Sequence, residues 1–154
     1  GPKNNRKYGT DGMLNPYSLY LITDNNLMGP KDFMQVVHRA VLAGVSAVQL
    51  REKKMATREL IDLGHELRNV LRPTAAKFIV NDRVDIALAC GADGVHLGNS
   101  DMDFYSARNI LGREAIIGIT IEDEEDAKKL KNQKPLLKYQ YLCSCFCKIL
   151  LNHH

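Results

Sequence analysis

The chain has no apolar run approaching the roughly 20 residues that span a bilayer, so nothing in it reads as a membrane helix. Its first residues lack the charged-then-apolar pattern of a secretory signal, and Gly1-Pro2 reads as the remnant of a cleaved tag. A soluble, cytoplasmic protein is the expectation. No Gly-x-Gly-x-x-Gly follows the first strand-like segment, which counts against a dinucleotide-binding fold. Beyond Asp126 there is no acidic residue, whereas six lysines follow it. Of the 21 basic residues, 15 precede that point, together with all 18 acidic ones, so the body is mildly acidic and only the tail is basic. A nucleic-acid binder would set its basic residues on a folded face with aromatics between them, and no such partner is expected here. Cysteine is scarce, at four. Cys90 stands in an apolar run and reads as a small buried hydrophobe. Cys143, Cys145 and Cys147 are separated by single residues, closer than zinc sites usually space their thiolates, so a metal cage is not expected there.

What remains suits one globular domain. The chain has 154 residues, 45% hydrophobic and 25% charged, enough for a sizeable core. Residues 1–16 are polar and Gly-rich and read as a loose arm. Ser18 to Asp24 is short, apolar and β-prone, and stops at the turn signal Asp24-Asn25-Asn26. Phe33, Val36, Val37, Ala40 and Val41 recur at helical spacing before Gly44. Ser46 to Lys53 reads as a second strand. Leu60, Leu63, Leu67, Val70 and Leu71 mark a helix ended by Pro73. Lys77 to Asn81 is a third strand, Val84 to Ala89 a short helix, and Gly94 to Gly98 a fourth strand. Phe104 to Leu111 is a helix, Ala115 to Thr120 a fifth strand, and Glu122 to Asn132 a charged helix.

Strand and helix thus alternate five times, and the strands are almost continuously apolar. That pattern predicts an α/β fold with a parallel sheet covered by helices. Polar residues end strand after strand, which is how (β/α)₈ (TIM-type) barrels build active sites. The pattern deteriorates after Gln133. Residues 17–133 would form about five or six units of a barrel that usually needs about 250 residues. Tyr139 to Cys143 could add a sixth strand, and 134–154 reads as an atypical basic tail.

The chemistry-bearing residues cluster at these strand ends. Gln49, Arg51 and Lys53 occupy alternate positions, so on a continuous strand they share one face, with Leu50 and Glu52 on the other. An inward Arg and Lys there need an anion, and an Arg fork with a Lys point charge suits phosphate; a salt bridge at the rim is the plainer reading. Asn81-Asp82 ends the third strand, and Asp101 follows the fourth. Either Asp could simply cap the next helix. Carboxylates beyond neighbouring strands, about 4.8 Å apart, could instead hold one Mg²⁺ together with substrate phosphate and water. Thr120 could place a hydroxyl at the same mouth. His96, inside the fourth strand, receives no role.

Leu19 to Asp24, Val48 to Lys53, Ile79 to Asp85 and Gly91 to Gly98, in this order and spacing, resemble thiamine phosphate synthases, from about Tyr17 to Ala127. The resemblance implies a TIM barrel, incomplete here. It also implies a transferase of thiamine biosynthesis that joins hydroxymethylpyrimidine diphosphate to thiazole phosphate with release of diphosphate. Gln49, Leu50, Arg51, Glu52, Lys53, Asn81 and Thr120 would then bind the pyrimidine diphosphate, and Asp82 and Asp101 would hold Mg²⁺. Arg51, Lys53 and Thr120 would carry the catalytic load in a dissociative reaction, with diphosphate leaving before the thiazole nitrogen attacks. Asn99 stands where the family usually has Gln, and Thr120 where it usually has Ser. The family's later Thr-rich loop, Lys and Gly-containing loops have no counterpart after Gln133. Two further readings stay open. One is a thiazole tautomerase-like isomerase, which would need a His shortly after the fifth strand, where Ile121-Glu122-Asp123 stands. The other is a catalytically incomplete fragment that binds only the pyrimidine diphosphate, with open sheet edges that favour a homo-oligomer.

Overall fold

A computed structural model describes residues 19–24, 33–126 and 128. Five strands and four complete helices alternate: β1 Tyr20–Ile22, α1 Phe33–Leu42, β2 Ala47–Leu50, α2 Thr57–Leu71, β3 Lys77–Asn81, α3 Val84–Cys90, β4 Gly94–Leu97, α4 Phe104–Leu111 and β5 Ile116–Ile119. A further helical turn begins at Glu124, and the rest of the expected 122–132 helix lies outside the described residues. So do the arm, the sixth strand and the basic, Cys-containing tail. No described helix is long and apolar enough to cross a membrane.

All strands are parallel and lie in chain order, β1-β2-β3-β4-β5. The order never reverses, so right-handed crossovers carry each helix to the same face. A doubly wound sheet would reverse and place helices on both. The expected TIM-type arrangement is therefore the observed one, and the described strands form an open segment of it.

The core lies between sheet and helices. Leu60, Gly64, Leu67 and Leu71 form a buried stripe along α2, and Phe33 and Val37 do the same on α1. They meet Val48, Leu50, Phe78, Val80, Val95, Leu97 and Ile117, the alternate residues of the strands. α4 starts where Asp103 accepts a hydrogen bond from the Ser106 amide at 3.0 Å.

The opposite face of the sheet is chemically different. Gln49 pairs in register with Ile79, and Asn81 with His96, which in turn pairs with Gly118. In parallel pairing such neighbours point the same way. This face therefore carries the buried Gln49 and His96 among apolar residues, and it leads to the carboxyl ends of the strands.

Candidate active site

β2 ends at Leu50, earlier than the alternation of Gln49, Arg51 and Lys53 requires. The neighbouring strands explain the stop. β1 ends at Ile22, and the Arg51 amide leaves the ladder to donate to the buried Thr23 hydroxyl at 3.2 Å. The expected three-residue strand face is thus corrected to one strand residue and a following loop. Gln49 is buried on the inner face, where its amide donates to the Tyr20 hydroxyl at 3.0 Å. Arg51 and Lys53 stand exposed beyond the strand end. The Leu50 side chain belongs to the helix-facing core, so only its backbone can serve a ligand. Glu52 is half-buried.

The two aspartates are not helix caps. α3 is capped by Arg83, without a side-chain hydrogen bond, and α4 by Asp103. Asp82 instead has a left-handed backbone, φ 63°, held by its amide donating to the His96 carbonyl at 2.8 Å. Non-glycine residues in this region are uncommon, and Asp is among the few that tolerate it. With that backbone, the Asp82 carboxylate comes to 3.4 Å from the Lys53 ammonium. Asp101 folds back over its own turn and accepts from the Gly98 amide at 2.7 Å.

Together these turns bring Asp82 and Asp101 into contact. Partial burial, with the Asp82 carboxyl beside it as hydrogen-bond partner and like charge, pushes the Asp101 carboxyl above its ordinary range. The Gly98 amide and Lys53 oppose that shift. A crowded carboxylate pair with one ammonium nearby has an unmet demand for positive charge. Its donors are hard oxygens, which suit Mg²⁺. Among the described residues no three His, Cys, Asp or Glu side chains form a closed metal cage. The pair therefore fits an ion that keeps waters and takes further oxygens from a substrate.

Thr120 follows β5 at the same mouth, its amide donating to the Leu97 carbonyl at 2.9 Å. His96 Nε2 lies 3.1 Å from the Thr120 hydroxyl. Burial keeps the His96 ring below its ordinary pKa, against the raising influence of Asp101. Asn81 is half-buried at the end of β3.

A family model described as thiamine monophosphate synthase matches residues 19–146. The chain belongs to the thiamine monophosphate synthase family. It is 45% identical over 124 residues to a thiamine-phosphate synthase of Leptospira biflexa, covering 80% of this chain and 59% of that protein. It is 46% identical over 113 residues to one from Syntrophomonas wolfei, covering 73% and 54%. A solved thiamine phosphate pyrophosphorylase from Pyrococcus furiosus superposes with a TM-score of 0.69 at 38% identity, covering 77% of this chain and 57% of that one. The chain thus spans between half and three fifths of the length of these relatives.

Within this family member, two contacts escaped the sequence reading. Tyr20 holds Gln49, and His96 holds Thr120. Both lie on the inner face. Their signal was the two-residue period, since His96 has the same strand phase as Asn81 and Gly118.

Proposed function

We propose that this chain provides the pyrimidine-diphosphate half of a thiamine phosphate synthase site. The reaction would transfer the hydroxymethylpyrimidine group from its diphosphate to thiazole phosphate and release diphosphate. The observation that carries the reading is the cluster of Lys53, Asp82 and Asp101 at one strand-end mouth, beside the exposed Arg51.

Asp82 and Asp101 would hold Mg²⁺, which supplies charge neutralisation to the departing diphosphate. Lys53 and the Arg51 fork would bind its outer oxygens and stabilise the negative charge that grows as the carbon–oxygen bond breaks. Gln49, fixed by Tyr20, and Asn81 would orient the pyrimidine. Thr120 would donate to a phosphate oxygen. Such a reaction needs no protein nucleophile, because diphosphate departs before the thiazole nitrogen attacks. Arg51 can therefore stand solvated before substrate arrives, since its role is to pair with charge that the substrate brings.

None of the described residues is assigned to the thiazole phosphate, so binding and turnover are separate tests. Incubation with both substrates and Mg²⁺, with thiamine phosphate and diphosphate measured as products, tests the full reaction. Stoichiometric release of both supports it. Mg²⁺-dependent binding of the pyrimidine diphosphate without product would restrict the chain to the binding half. The tautomerase reading predicts thiazole isomerisation without metal, and no described residue after β5 offers the His it needs, Ile121-Glu122-Asp123 standing there.

A further inference from the structure

His96 is 9% exposed and uses only one of its two ring nitrogens. Nε2 meets the Thr120 hydroxyl at 3.1 Å. Nδ1 is sealed from solvent and has no hydrogen-bond partner. It lies over the backbone of β5, where even a Cβ on Gly118 would come within 2.6 Å of it. The missing side chain at Gly118 is thus what leaves room for the Nδ1 edge of the ring.

A neutral imidazole carries one proton, on either nitrogen. A buried N–H with no acceptor is costlier and rarer than a buried lone pair with no donor. The proton therefore belongs on Nε2, the nitrogen that has a partner. Nε2–H then donates to the Thr120 oxygen. A threonine hydroxyl has two lone pairs and one proton, and this contact uses a lone pair only. The opposite tautomer would turn the Thr120 proton inward and consume it on Nε2.

We infer that His96 is fixed as its Nε2–H tautomer and positions Thr120, so that the Thr120 proton faces the mouth as a donor to an anionic phosphate oxygen. This rests on the reading of the mouth as a diphosphate site. His96 itself touches no ligand in this arrangement. It acts through Thr120 alone, and the two residues should therefore behave as one unit.

Two measurements on the full chain test it. Long-range nitrogen–proton correlation spectra of the ligand-free protein at neutral pH should show His96 protonated on Nε2 and bare on Nδ1. Calorimetry with inorganic diphosphate and Mg²⁺ should show Thr120→Val weakening binding about tenfold, the worth of one hydrogen bond to a charged group. His96→Leu should weaken it comparably, and should add nothing in a Thr120→Val background. His96→Gln, whose amide can donate from near the Nε2 position, should retain most of the affinity. Should His96→Leu fail to fold, the spectra and His96→Gln still decide. An Nδ1–H tautomer, additive losses, or loss of affinity in a folded His96→Gln would overturn the inference while leaving the site reading intact. No diphosphate binding by the parent would overturn the site reading and the inference together.

Discussion

Gly94→Ala is expected to destabilise the fold severely. Gly94 opens β4 in register with Ile116 of β5, and the Ile116 amide donates to the Asp93 carbonyl at 2.9 Å. A Cβ on Gly94 would run into the Ile116 carbonyl and lie 2.7 Å from the Ile116 Cβ. The obstacle is backbone, so no rotamer change relieves it. Either β5 leaves β4 or β4 tilts within the sheet, and each breaks ladder bonds around a buried core. A cost of about 3 kcal/mol or more follows, a large share of the roughly 5–15 kcal/mol that holds a domain together. Far-UV circular dichroism should show lost structure or a melting transition far below that of the parent. Leu88→Ala, at a site 58% exposed, is the control and should shift stability by at most about 0.5 kcal/mol. A Gly94→Ala protein melting with the parent would show that the β4–β5 junction described here is wrong.

Asp82→Ala and Asp101→Ala are each expected to remove Mg²⁺-dependent binding of the pyrimidine diphosphate, weakening it by about 100-fold or more. A site of two carboxylates has no spare ligand. Asp101→Asn separates charge from geometry, because its amide oxygen can still accept from Gly98. It should lose the metal as fully as alanine does. Its stability should move the other way. The folded Asp101 carboxyl sits above its ordinary value of 3.8, chiefly through burial and then through Asp82. The folded state thus binds the proton more tightly than the unfolded chain, and stability falls as pH rises through the interval above 3.8. Asparagine carries no such penalty. Without Mg²⁺, Asp101→Asn should therefore melt no lower than the parent at pH 7, although it has lost function. Such a trade is expected where charges are crowded for a ligand. Thermal melts with and without Mg²⁺ check it. Asp101→Asn that keeps its Mg²⁺ response would remove Asp101 from the metal site.

The order of elements was legible because helices and strands carry different apolar periods. The stripe Leu60, Leu67 and Leu71 repeats at helical spacing, and the short apolar run Phe78-Ile79-Val80 has the length of a buried strand. The alternation alone suits a doubly wound sheet equally well, and the barrel order was favoured by the polar residues that end strand after strand. The end of β2 was not legible. It depends on where β1 stops and on a threonine hydroxyl 28 residues away taking the Arg51 amide. Nor did spacing reveal that Asp82 and Asp101 decline their capping roles. That outcome needs the left-handed turn at Asp82, anchored on the His96 carbonyl, and the reach of Asp101 back to Gly98. Local sequence offered both aspartates a sufficient use as caps, and tertiary contacts supplied another. His96 was ambiguous for a related reason: its burial and its hydrogen bond come from β5, which lacks a side chain at Gly118 to exclude it.

The mouth formed by Arg51, Lys53, Asp82 and Asp101 is proposed to hold a diphosphate with Mg²⁺. The most direct test is calorimetric titration of the full chain with hydroxymethylpyrimidine diphosphate, in Mg²⁺ and again in excess chelator. Binding in Mg²⁺ should be saturable, collapse on chelation and return when Mg²⁺ is restored. Equal heats in both titrations, or none in either, would contradict it.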